Sequence, residues 1–267
     1  VVGWQENTVR ANGIDIHYWR TGGNKPPVVL LHGLTDSGRC WQLAAEALSD
    51  EYDLIMPDAR GHGRSSVPEQ GYRTEDRVAD VLGLIEALGL ERPAVVGHSM
   101  GAETSAMLAA DAPSAISCAV LEDPSFRLQP LGDVADEWAQ DLLKQKQLTH
   151  QQLVAQARVD LATWNPATLD SWAESKLEAD PRVFMWLREP RTPWRSFVNR
   201  ISVPTLLVTA ETERGAIVTP ETAQEIASIN PHVRVAHIAG AGHCIRYEQH
   251  DAFVAVVRTF LREHTTA

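Results

Sequence analysis

Short, largely apolar runs recur along the chain at Val28–Leu31, Leu54–Met56, Ala94–Val96, Cys118–Leu121, Thr205–Val208 and Val233–Ile238. Runs of this length and character suit parallel strands that are buried on both faces. Between most of them the apolar positions take up a helical period, at Trp41–Leu48, Thr74–Leu88, Met100–Ala110, Pro220–Ile229 and Ala252–Leu261. Ahead of the first run, two strand-like stretches, Thr8–Ala11 and Ile14–Trp19, flank Asn12-Gly13. Asn-Gly between such stretches predicts a hairpin, because both turn positions need a positive φ. Strand alternating with helix predicts an α/β protein with a doubly wound, mostly parallel sheet of eight strands.

One interval breaks the rhythm. Residues 126–199 hold no convincing strand, only helical stretches such as Val134–Lys146, Gln151–Leu161 and Leu169–Leu177. The pattern predicts a core made of residues 1–125 and 200–267, with a helical lid (126–199) inserted after the sixth strand of the sheet. The lid carries Trp138, Trp164, Trp172, Trp186 and Trp194, five of the eight tryptophans. Each ring taken alone is expected to pack the lid onto the core. With five together, one or two are expected to line an apolar pocket.

The 267 residues are enough for one full hydrophobic core. A net charge of -11, from 24 basic against 35 acidic residues, works against binding nucleic acid or anionic lipid, and no basic block offsets it. No apolar run approaches the ~18 residues of a membrane span. Cys40, Cys118 and Cys244 are odd in number and widely spaced. That spacing argues against a disulfide framework or a zinc site. With no leader-like start at VVGWQENTVR, the expected location is cytoplasmic. The expected state is a monomer or homodimer.

Three segments carry chemistry. In Ala94-Val95-Val96-Gly97-His98-Ser99-Met100-Gly101-Ala102 an apolar strand enters G-x-S-x-G and a helix of small residues follows. A nucleophile on so sharp a turn has a strained backbone and needs small neighbours, here Gly97 and Gly101. The turn also sets Ser99 at a helix N-terminus, whose positive end favours an oxyanion. The second segment, Val28-Val29-Leu30-Leu31-His32-Gly33-Leu34, is a strand ending in His-Gly. It offers the Leu34 N–H, with that of Met100, as an oxyanion hole, while His32 is expected to brace the loop. The third, Ile238-Ala239-Gly240-Ala241-Gly242-His243, brings a histidine on a glycine-rich loop near the C-terminus. An imidazole that shuttles a proton to and from a serine needs such a loop. His98 is expected to pack or hydrogen-bond locally and His62 to be structural. His17, His150, His232, His250 and His264 are expected to be bystanders.

In order and along nearly the whole chain outside the lid, VVLLHG, PDARGHGRS, VVGHSMG and GAGH resemble the α/β-hydrolase superfamily. The resemblance implies hydrolysis through an acyl-enzyme, with Ser99 as nucleophile, His243 as base and no metal or organic cofactor. A serine rather than an aspartate at position 99 excludes the dehalogenase and epoxide-hydrolase branches and favours carbonyl substrates.

The resemblance places the triad acid either after the seventh strand or at the end of the sixth. The first loop offers Glu211 and Glu213, the second Glu122 and Asp123. Glu122 ranks first, because zearalenone-type lactonases carry a Glu one residue before the Pro-preceding position there. Glu189-Pro190-Arg191-Thr192-Pro193 is also similar to a stretch in those enzymes. Glu211 and Glu213 together rank next. Asp123 ranks last, on the precedent of lipases that use an Asp directly before Pro.

The expected activity is a serine esterase or lactonase acting on a small apolar ester or lactone, aromatic or macrocyclic in the sharper form. The alternatives are a C–C hydrolase of ring-fission products and a catalytically idle small-molecule receptor on the same fold.

Overall fold

The computed structural model describes residues 4–126 and 130–265. Eight strands form one sheet: β1 Gln5–Ala11, β2 Ile14–Arg20, β3 Pro27–Leu31, β4 Asp53–Pro57, β5 Ala94–His98, β6 Ala119–Glu122, β7 Thr205–Thr209 and β8 Val233–His237. The helices, in chain order, are α1 Gln42–Leu48, α2 Thr74–Ala87, α3 Met100–Asp111, α4 Gly132–Gln145, α5 His150–Asp160, α6 Leu169–Glu178, α7 Met185–Arg188, α8 Trp194–Val198, α9 Pro220–Ile229, α10 Ile245–Glu248 and α11 His250–His264. The strand order is β1-β2-β4-β3-β5-β6-β7-β8. The first two strands make the predicted hairpin over Asn12 and Gly13, both with positive φ, and β2 runs antiparallel to β4. All later pairings are parallel.

Alternation along the central strands divides the core. Val29, Leu31, Ile55, Val95, Leu121 and Leu207 face α2, α3 and α9. Their neighbours Val28, Leu30, Leu54, Met56, Val96, Val120 and Val208 face α1 and α11. Each such fully buried side chain contributes about 1.5–3 kcal/mol. Those many small increments hold the sheet rigid beneath the loops at its carboxyl edge.

Between β6 and β7 the described residues 130–199 form helices α4 to α8 and no strand. They lie against the carboxyl-edge loops. Asp180 N–H donates to Gly61 O, Asn165 N–H to Tyr247 O, and Lys176 Nζ to Thr35 O. A third apolar cluster, with Met100, Ala135, Leu142, Phe184, Trp186 and Leu187, seats this segment over the start of α3.

Candidate active site

Ser99 sits between β5 and α3 with φ 52° and ψ -110°, a positive-φ conformation outside the small left-handed region open to non-glycine residues. The close quarters that force this are measurable. A Cβ on Gly97 would lie 2.3 Å from Gly101 O, and one on Gly101 would lie 2.2 Å from Leu31 O. Both residues must be glycine for the strand, the turn and the helix to meet. Ser99 N–H donates to Glu122 O at 2.9 Å, which extends the sheet by one bond. Met100 opens α3, so its N–H has no intrahelical acceptor. The turn after β3 lies alongside: a Cβ on Gly33 would be 3.4 Å from Ser99 Cβ.

That turn is built from buried, neutral imidazoles. His32 donates from Nδ1 to Gly33 O (2.8 Å) and accepts Ala59 N–H at Nε2 (2.9 Å). His62 donates from Nδ1 to Arg60 O (2.9 Å) and accepts Thr35 N–H at Nε2 (3.2 Å). Burial pushes His62 down to about 3 and holds His32 below its ordinary value. Both therefore keep the lone pair that these bonds need. His32 and His62 are thus loop braces, as the sequence suggested.

His243 lies on the loop after β8. Its Nδ1 is 2.6 Å from Asp123 Oδ2. Asp123 is fully buried, and its carboxylate also accepts the N–H groups of Ile217 (2.8 Å) and Val218 (2.9 Å). His98, beside Ser99 in the chain, donates from Nε2 to His243 O at 3.0 Å, and the two rings are 4.7 Å apart. Burial pushes His98 well below its usual value, so it stays neutral. Its partner is 145 residues away, not local.

The expectation that Glu122 orients His243 is corrected. Glu122 is still part of β6, on the face shared with Cys118 and Val120, and points toward the α1 and α11 side. There it accepts Arg246 N–H at 2.8 Å and pairs with Arg246 Nη1 at 3.1 Å. Asp123 is one residue past the strand with φ 40°, and that bend carries its carboxylate to the sheet's end. Glu211 accepts Gly240 N–H at 3.1 Å and so braces the histidine loop, while Glu213 is exposed.

Residues 26–249 match the family described as alpha/beta hydrolase fold. The chain belongs to that family. Among its relatives, N-formylmaleamate deformylase of Pseudomonas putida is 31% identical over 260 residues, covering 95% of either chain. The enol-lactonase structure from Burkholderia xenovorans superposes with a TM-score of 0.79 at 26% identity, covering 96% of this chain and 100% of that one. The E-2-(acetamidomethylene)succinate hydrolase structure gives a TM-score of 0.85 at 23% identity, covering 97% and 100%, a likeness of fold. With Glu122 committed to Arg246, the residue on which the likeness to zearalenone-type lactonases rested does not support it.

In this α/β-hydrolase a cleft of about 220 Å³ opens between the lid and the turn after β3. Leu34, Trp138, Leu142 and Phe184 give it apolar walls, and Thr35, Asp141, Gln145 and Lys176 complete the lining. Of the five lid tryptophans, Trp138 faces this cleft and is partly exposed. The other four pack. Trp194 stacks on Phe126, Trp186 lies under Arg77 and Arg191, and Trp164 meets Trp172 and Tyr247.

Behind the turn lies a buried charge network that no sequence pattern announces. Arg246 Nη2 and Lys176 Nζ each lie 3.1 Å from Asp36, on separate carboxylate oxygens. Burial alone would raise the Asp36 carboxyl, but the Lys176 and Arg246 charges overturn that and hold it low. Burial wins at Glu122, whose carboxyl is raised despite Arg246. A single Lys in an amphipathic lid helix carries no signal that it is a core partner.

Proposed function

We propose that the chain hydrolyses a small carbonyl compound through an acyl-enzyme on Ser99. The bond broken is that of a carboxylic ester or lactone. The hydroxyl of Ser99 attacks the carbonyl, and His243 takes its proton at Nε2 because Nδ1–H is engaged by Asp123. The Asp123 carboxylate stabilises the imidazolium that forms. The N–H groups of Leu34 and Met100 receive the developing oxyanion. His243 returns the proton to the leaving oxygen, then activates the water that frees Ser99.

The observation that carries this reading is the strained Ser99 at the head of α3, on a turn where only glycine fits at positions 97 and 101. Backbone strain of this kind costs about 1–3 kcal/mol and persists where function requires it. The Leu34, Trp138, Leu142 and Phe184 walls of the cleft support a substrate with an apolar acyl or leaving part. The structural likeness to an enol-lactonase supports a lactone or similarly activated ester as substrate.

A fluorophosphonate probe tests the nucleophile. Wild-type protein is expected to label and Ser99→Ala not to. Turnover is then followed on p-nitrophenyl acetate, on five- and six-membered enol lactones and on a vinylogous diketone. Hydrolysis of the diketone alone would replace acyl-oxygen cleavage with C–C cleavage. Failure of the wild type to label would end the catalytic reading and leave the idle receptor.

A further inference from the structure

We propose that Lys176, in the lid, is a positioning residue that holds the turn after β3 in its active shape. The proposal rests on the reading above, that the Leu34 N–H receives the oxyanion. It starts from Thr35, which follows Leu34 and has φ 63°. A β-branched residue is a genuine outlier there, so the surroundings must over-determine its conformation. Thr35 N–H is held by His62 at 3.2 Å. Lys176 Nζ donates to Thr35 O and to Thr35 Oγ1, each at 2.9 Å, and to Asp36 Oδ1 at 3.1 Å.

Three ammonium protons thus find three acceptors on two consecutive residues of one turn. Lys176 is 5% exposed and its Nζ lies 5.3 Å from the centre of the Trp172 ring, so its stem cannot relax away. Asp36 is fixed from its other oxygen by Arg246, and its N–H closes the turn onto Gly33 O at 3.2 Å. The peptide between Gly33 and Leu34, which carries the donor, is therefore clamped from both ends. Its Gly33 end is held by His32 and the Asp36 N–H, and its Leu34 end through Thr35, which His62 grips from the core and Lys176 from α6.

The consequence is a coupling between lid and chemistry. When α6 lifts, Thr35 loses two hydrogen bonds that hold its positive φ. The turn then relaxes toward the extended backbone that threonine prefers, and the donor leaves the oxyanion position. Because an oxyanion exists only along the reaction path, the loss falls on kcat rather than on KM.

Lys176→Met keeps the stem and removes the three donors. It is expected to lower kcat on p-nitrophenyl acetate on the order of 10- to 100-fold, short of the roughly 10²- to 10³-fold for an oxyanion donor removed outright, with KM changed little. The decisive arm adds Thr35→Gly. Glycine adopts a positive φ freely, so the double variant should recover most of what Lys176→Met loses. A lid contact that merely stabilised the fold would not be rescued by a glycine in the core turn.

A Lys176→Met protein with full kcat, or a double variant no better than Lys176→Met alone, overturns the assignment. If Lys176→Met does not accumulate as folded protein, Lys176→Arg takes its place. Its planar fork cannot set one nitrogen on both Thr35 oxygens and Asp36, and the same glycine rescue decides. A wild type that neither labels with fluorophosphonate nor turns over overturns the reading of Ser99, and this proposal with it. A wild type that labels, beside variants that keep kcat, removes Lys176 alone.

Discussion

Glu122 and Asp123 are adjacent, both carboxylates and both buried completely, yet they face different partners. Glu122 keeps the strand's alternation and meets Arg246, and the bend at Asp123 turns the next side chain to His243. Two substitutions separate their tasks. Asp123→Asn leaves the volume unchanged but removes the charge that favours the imidazolium and the preferred tautomer of His243. It is expected to lower kcat/KM on the order of 10⁴-fold with a small change in stability. Glu122→Gln leaves Arg246 buried with one anion fewer, since Asp36 remains. It is expected to cost about 3 kcal/mol of stability while Ser99 still labels. Urea melts and kcat/KM, measured on both proteins, check the pair. Loss of turnover in Glu122→Gln at unchanged stability would reverse the assignment.

At the level of elements, one substitution at two glycines distinguishes strain from contact. In Gly13→Ala the new methyl meets nothing within 4 Å, and its penalty comes from φ 75° alone, about 1–2 kcal/mol. In Gly101→Ala the methyl drives into the backbone of β3, 2.2 Å from Leu31 O and 2.7 Å from His32 O. Backbone cannot swing aside as a side chain can. The helix must separate from the strand, at roughly 3 kcal/mol or more, and Ser99 moves with it. Thermal melts are expected to show a small loss for Gly13→Ala and a large one for Gly101→Ala, with fluorophosphonate labelling lost only in the second. The strands were legible for the same reason the elbow is rigid: a strand buried on both faces is a run of Val, Leu and Ile, and a turn without room is written in glycine. The acid was not legible. Choosing Asp123 over Glu122 depends on where β6 ends and on a φ of 40° at a non-glycine residue, and neither leaves a mark in composition or period. Lys176 was illegible too, because the residues that bury it lie about 140 positions away in the chain.

For the molecule as a whole, the buried imidazoles set how stability follows pH. His32, His62 and His98 are all held below the ordinary value of 6.5, chiefly by burial, with His62 pushed to about 3. In the unfolded chain they take up protons as pH falls through about 6.5, and in the folded chain they do not. The unfolded state then binds more protons, and stability falls with falling pH over that window. A histidine displaced as far as His62 contributes a slope of up to about 1.4 kcal/mol per pH unit. His17 has the opposite sign. Burial would lower it, but Asp58 at 2.7 Å and Glu6 at 3.1 Å overrule that and raise it. Its contribution is complete below about 6.5 and is lost only as pH rises through its folded value, so it adds no slope on the acid side. Glu103 and Glu122 are raised by burial, a shift of the opposite sign that works against part of the acid slope. The unfolding free energy, from urea titrations between about pH 5 and pH 6.5, is therefore expected to fall as pH falls, with His62 alone supplying up to about 1.4 kcal/mol per pH unit. His62→Asn, which cannot titrate, should flatten that slope by about one proton's worth while weakening the hold on Thr35. A His62→Asn protein whose stability follows pH with the same slope as the wild type would mean that this ring is not a neutral brace, and the turn beside Ser99 would need a different account.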